Sequence, residues 1–216
     1  MPIAPHYTIY QRLPGLVLGF HGCEQDTAIK LLTREIKHLK PSANHYDWLG
    51  NGIYFWENDP LRAWEFAQDR HARFQPGERG HIKKPSVIGA VIDLGLCLNL
   101  TDRRALDEVR QAHELLRQAT HASGKQLPVN MGKDLGARNL DRAVIETVHV
   151  MRQHTQAPDG TNLAPYDTVR SPFPEGSPLY DGAGFQSQTH IQIAVRNTDC
   201  IKGYFLPIPA QQGYGR

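Results

Sequence analysis

Two short segments carry residue types that can do chemistry together. Phe20–His21–Gly22 closes an apolar run, and about thirty residues later Leu49–Gly50–Asn51–Gly52–Ile53–Tyr54–Phe55–Trp56 opens another. A neutral imidazole offers one donor and one acceptor, which suits a hydroxyl group. A glycine lets a ligand approach the backbone closely, because no Cβ stands in the way. A tyrosine ring can lie in an offset stack against a flat heterocycle, worth about 0.5–1.5 kcal/mol beyond the area it buries. A third polar position lies late in the chain, in Thr189–His190–Ile191–Gln192–Ile193–Ala194–Val195.

The surrounding pattern supplies strands and helices to position these groups. Leu16–Phe20 reads as a buried strand. Thr27–His38 reads as a helix, with Asp26 as its cap and Ile29, Leu32 and Ile36 on its inner face. A strand follows at Gly50–Trp56. A second helix opens at Asp59, with Pro60 in its first position, and runs to about His71 with Leu61, Trp64 and Phe66–Ala67 inward. Arg70–Lys84 reads as an exposed basic loop, with a contact to a pyrophosphate or an acceptor as its sharper reading.

Ser86–Leu94 is rich in β-branched residues and reads as a central strand. Two further helices are expected, from about Arg103 to His121 with Leu106, Val109, His113 and Leu116 on one face, and over Asn139–Gln153 with Leu140, Val144, Val148 and Met151 inward. Ala157–Gly184 is a long loop with a short strand at Tyr166–Arg170. His190–Val195 and Ile201–Leu206 read as strands joined by the turn Asn197–Asp199. The fold class is α+β, in a single domain over residues 1–216 with a helical insertion at about 101–157.

Composition narrows the function. Of 216 residues, 40% are hydrophobic and 21% charged, which fits a globular protein. The net charge of +2 provides no whole-molecule field for gripping nucleic acid or an anionic membrane. No apolar run is long enough for a membrane span, and the N-terminus reads as no signal peptide. Three widely spaced cysteines, Cys23, Cys97 and Cys200, argue for reduced thiols in the cytoplasm. The eleven histidines form no HxH or HxxxH pair, so no metal site is expected. Glu146 and His149 stand at i, i+3 on one helix, a di-metal spacing without its second copy.

The ordered set of His21–Gly22, a helix, the Gly-x-Gly-x-Tyr-Phe segment and a second helix resembles the ADP-ribosyltransferase superfamily, in its diphtheria-toxin and poly(ADP-ribose) polymerase branch. The resemblance spans Val17 to Ala67, and more weakly Thr189 to Phe205. It implies a split β-sandwich of two small sheets with flanking helices, and NAD as substrate. It also implies roles: His21 on the adenine-side ribose, the Gly22 backbone on the nicotinamide carboxamide, Tyr54 stacked on nicotinamide, and Gly52 and Phe66 among the NAD-binding residues. Glu65 holds the spacing at which the family places its second ring.

The branch carries an acidic or substituted third residue about nine positions before an apolar residue of the last strand. Counting back from Ile201 reaches Gln192. Its strand alternation sets His190, Gln192 and Ala194 on one face, away from Ile191, Ile193 and Val195. A glutamine carbonyl can accept from a ribose hydroxyl but supplies no charge to an oxocarbenium ion and no general base. The implied activity is therefore a single transfer of ADP-ribose, with the triad His21, Tyr54 and Gln192, and with His190 as the rival third residue. The acceptor is protein or nucleic acid; an inhibitor partner and a toxin or defence role would suit such an enzyme, and no membrane partner is implied. Two other readings stay open: an inactive module of the same fold that binds NAD, ADP-ribose or a protein partner, and an RNA 2′-phosphotransferase, which would want a further His and Arg in set places.

Overall fold

Glycine-bounded apolar runs become strands, and the longer amphipathic runs become helices. The computed structural model describes residues 15–73, 81–132 and 137–208. Within them the order is β1 (Leu16–Glu24), α1 (Gln25–Leu32), β2 (Ile53–Glu57), α2 (Pro60–Ala72), β3 (Pro85–Asp93), β4 (Cys97–Asn99), α3 (Arg103–Ala122), β5 (Asn130–Met131), β6 (Ala137–Arg138), α4 (Asn139–Gln153), β7 (Thr168–Phe173), β8 (His190–Val195) and β9 (Ile201–Phe205). The fold is α+β. No helix among the described residues is long and apolar enough to cross a membrane.

Seven strands form one mixed sheet in the order β4-β7-β8-β2-β1-β3-β9, and β5 and β6 form a small ribbon. The two small sheets expected from sequence are thus joined. Their junction is narrow: β1 meets β2 only at Gly19↔Glu57 and Phe20↔Trp56, whereas β1 meets β3 over its whole length. β8 and β9 follow each other in sequence, yet β8 pairs with β2 and β7 while β9 pairs with β3 at the opposite edge.

Both faces of the sheet are covered. One carries Cys23, Phe55, Ile88, Ile92, Ile193 and Val195 against Ala28 and Leu31 of α1. On the other, Phe20 and Trp56 pack on Ala63 of α2, and Leu98, Val169 and Ala194 pack on Ala105, Ala112, Val144 and Val148 of α3 and α4. α2 thus lies over the β1/β2 pair Phe20↔Trp56, and the α3–α4 pair lies over β4, β7 and β8.

α4 keeps Val144 and Val148 inward as expected, whereas the other helices differ in part from their expected faces. α1 starts at Gln25 and ends at Leu32, because Arg34 adopts φ 61°; Glu24 takes the N-cap position, and Asp26 instead pairs with Lys30 at 2.7 Å. Its inward residues are Ala28 and Leu31, while Ile29 and Leu32 are exposed. α2 is capped by Asp59, whose carboxylate accepts from Arg62 N at 2.9 Å, with Pro60 at its first position. Leu61 is 64% and Trp64 38% exposed; the buried residues are Arg62, Ala63 and Ala67. The cause is close approach to β1. A Cβ on Gly22 would lie 2.1 Å from the Ala63 carbonyl oxygen and 3.2 Å from the Ala67 Cβ, so only small residues fit at that contact. Leu106 on α3 is likewise exposed, and Ala105 and Ala112 are buried in its place. In the expected basic loop, residues 74–80 lie outside the described residues.

Candidate active site

A cleft of about 320 Å³ opens at the β1/β2 junction, and His21, Gly52, Tyr54, Phe66 and Gln192 all line it. These are five of the six residues singled out in the sequence. Trp48, Trp56, Arg62, Arg70, Phe173 and Glu175 complete its walls, together with the loop from Lys40 to Asp47. None of its lining residues comes from α3 or α4.

The backbone explains why the opening lies here. Gln25 N–H donates to Lys84 O at 2.9 Å in the register of the β1–β3 ladder. Alternate residues of an antiparallel strand bond to opposite neighbours. Leu18, Phe20 and Gly22 therefore turn their N–H and C=O toward β2, and Asn58 N–H donates to Leu18 O at 2.9 Å accordingly. A continued ladder would pair Gly22 with Tyr54, but pairing stops at Phe20↔Trp56. The Gly22 amide and carbonyl thus point toward β2 just past the end of the pairing, but Gly22 is buried, does not line the cleft, and turns its side-chain position to α2.

The Tyr54 carbonyl is taken by His21 Nδ1 at 2.7 Å. A carbonyl only accepts, so Nδ1 carries the proton and Nε2 is the acceptor. Burial outweighs this bond and holds the imidazole below its ordinary pKa, which keeps the ring neutral. The ring meets Phe55 edge-on at 5.9 Å.

Tyr54 does two jobs. Its ring lines the cleft, while its hydroxyl donates to Gly50 O at 2.8 Å and accepts from Leu49 N–H at 3.0 Å. Burial pushes its phenol well above the ordinary range, so the hydroxyl stays protonated. The Gly50 turn is also held from α4: Glu146 accepts from Asn51 N–H at 2.6 Å and from Arg196 at 2.7 Å. Gly50 has φ +80°, and a Cβ there would lie 2.6 Å from the Glu146 carboxylate, so this glycine is required twice over.

Gln192 sits in a cross-strand row with Phe20, Trp56 and Ser171 on the cleft face. Its carbonyl Oε1 accepts from the Trp48 indole Nε1–H at 2.6 Å. Indole is a donor only, which fixes the amide orientation. The carbonyl expected to meet a ribose hydroxyl therefore already accepts one bond, and its second lone pair and the Gln192 NH2 are the groups left for a ligand. His190, the rival, is buried: its Nδ1 donates to Gln188 O at 2.7 Å and its ring packs between Phe173 and Trp56.

Phe66 packs on Trp56 at 5.1 Å, and the Arg70 guanidinium lies 5.5 Å from the Phe66 ring centre. Glu65 does not line the cleft. Arg62 and Glu175, which the sequence reading missed, form an ion pair at 2.8 Å on the cleft wall. Asp47 ties the facing loop, accepting from Ser42 Oγ at 2.6 Å and Asn44 N–H at 2.7 Å, and Ser42 bonds both ways with Gly52. No group of His, Cys, Asp and Glu that could hold a metal ion occurs among the described residues.

The chain matches no family model, no curated protein and no solved structure.

Proposed function

We propose that the cleft binds NAD and that the protein is a mono-ADP-ribosyltransferase, passing ADP-ribose from NAD to a protein or nucleic-acid acceptor. One observation carries this reading. His21, Gly52, Tyr54, Phe66 and Gln192 converge on a single cleft, at a seam where the β1–β2 ladder stops before Gly22. The Gly22 amide and carbonyl suit a carboxamide, which needs one donor and one acceptor. His21 Nε2 suits a ribose hydroxyl. The Tyr54 ring offers a stacking surface to nicotinamide, and its charged pyridinium form adds a cation–π attraction. Gln192 provides no charge, which favours one transfer over chain elongation.

A second reading, binding of NAD or ADP-ribose without turnover, is favoured by the Trp48 bond to the Gln192 carbonyl. One experiment separates the two: titrate the protein with NAD and follow nicotinamide release with and without cell extract. Release that rises with extract supports transfer, and binding without release selects the second reading. His21→Ala and Tyr54→Ala should each weaken NAD binding while the fold survives. Unchanged NAD affinity in both variants, or no NAD binding by the parent protein, sinks the proposal.

A further inference from the structure

We infer that the Glu175 carboxylate is the proton acceptor of this cleft, and that the acceptor substrate attacks through a hydroxyl or an N–H rather than through a carboxylate. The inference rests on the reading of the cleft as an NAD site.

Glu175 lies two residues beyond Phe173, whose strand position pairs with His190. It therefore stands at the root of the excursion between β7 and β8, not at its tip. Its backbone is pinned there, because Gln188 N–H donates to Glu175 O at 2.9 Å, and Ser187 N–H donates to Ser177 O at 2.9 Å just beyond. The side chain is about one-third exposed, at 35%, and lines the same cleft as His21, Tyr54 and Gln192.

Its two oxygens differ. Oε2 accepts from Arg62 Nη2 at 2.8 Å. Arg62 is 8% exposed, and its guanidinium lies 5.7 Å from the Trp56 ring centre, so the arginine is a fixed clamp. His190 Nδ1 is 3.7 Å from the same oxygen, with its own proton given to Gln188. Oε1 bonds to nothing among the described residues. The other carboxylate of the cleft, Asp47, is occupied in holding its loop to Ser42 and Asn44. Glu175 thus combines an oriented carboxylate with a free oxygen, which a general base needs and Gln192 lacks.

The step balances without any further reactant. The acceptor's O–H or N–H attacks the anomeric carbon of the nicotinamide ribose and a new C–O or C–N bond forms. The bond from that carbon to the pyridinium nitrogen breaks, its electron pair stays on nitrogen, and neutral nicotinamide leaves. The acceptor's proton passes to Glu175 Oε1. A carboxylate acceptor has no proton to surrender.

The test uses the full chain, biotin-labelled NAD and total cell extract. Glu175→Gln should lower kcat for label transfer by about 100-fold or more, with NAD affinity within about threefold of the parent protein and a cooperative melting transition retained, lowered by the loss of the charge facing the buried Arg62. Glu175→Asp should recover part of the rate. Independently of any variant, the labelled products should resist a brief treatment with neutral hydroxylamine, which cleaves the esters formed on carboxylates much faster than glycosides of nitrogen or of hydroxyl groups. Transfer by Glu175→Gln within about threefold of the parent protein, or label released by hydroxylamine, overturns the inference while leaving NAD cleavage standing. A parent protein that neither binds nor cleaves NAD overturns the reading beneath it, and this inference with it.

Discussion

The Trp48 indole donates to the Gln192 carbonyl at 2.6 Å, across 144 residues of sequence. Trp48 is itself held: its ring lies 4.7 Å from Phe173, and the Arg138 guanidinium is 5.1 Å from its centre. The bond ties the loop before β2 to strand β8, and so fixes two walls of the cleft relative to each other. In thermal unfolding, Trp48→Phe and Gln192→Ala should each destabilise, and the double variant should fall short of their sum by about 0.5–1.5 kcal/mol. Strict additivity would mean that the bond contributes nothing. Gln192→Glu keeps an acceptor for the indole and adds a negative charge where an oxocarbenium ion would develop, so nicotinamide release should rise. Release that falls, with NAD affinity intact, would show that the Gln192 NH2 is the group the reaction uses.

Gly22 is packed tightly on its α2 side. A methyl group at this position would sit 2.1 Å from the Ala63 carbonyl oxygen, a backbone atom that cannot swing aside. Gly22→Ala should therefore destabilise by several kcal/mol or prevent folding, within the range of overpacked cores and backbone displacement. Gly184→Ala makes the control, since nothing lies within 4 Å of its Cβ position. Comparable melting temperatures for the two variants would refute this account of the β1–α2 contact.

The strands were legible because their signal is local. Leu16–Phe20, Ser86–Leu94 and His190–Val195 are apolar runs bounded by glycines, turns or polar clusters, and each lies in or over a strand. The alternation that set Gln192 apart from Ile193 likewise survives in the sheet, because a residue's face depends only on its neighbours. Helix faces were less legible. On α2 and α3 the buried apolar residues are Ala63, Ala67, Ala105 and Ala112, and a small side chain gives little hydrophobic signal although it permits the closest packing; on α4 the expected Val144 and Val148 are inward. The expected stripes ran instead through Leu61, Trp64 and Leu106, which the sheet does not cover. The Arg62–Glu175 pair was not legible at all. Its members are 113 residues apart, one on a helix and one in an irregular loop, and only the tertiary fold brings them to one wall.

His149 on α4 should govern part of the acid sensitivity of the fold. It is buried, neither ring nitrogen has a hydrogen-bond partner, and its ring meets Tyr166 edge-on at 6.1 Å. Burial, helped by the Arg196 charge and only partly opposed by Glu146, pushes its pKa down to about 4; Arg152 acts in the same direction. In the unfolded chain the ring titrates near its ordinary 6.5. As pH falls below that value the unfolded state takes up the proton first, so the folded state loses stability between about pH 6.5 and pH 4 and keeps it in full above. The loss assignable to His149 is about 3 kcal/mol over that window. His21, His38 and His190 are also held below their ordinary values by burial and act in the same direction. His149→Leu removes the titrating group without breaking a hydrogen bond. In urea titrations the variant should match or exceed the parent protein near neutral pH, and should lose less stability on acidification by up to about 3 kcal/mol. An acid limb as steep as the parent's would place the sensitivity in the other three histidines and in carboxylates held below their ordinary range, Glu146 among them.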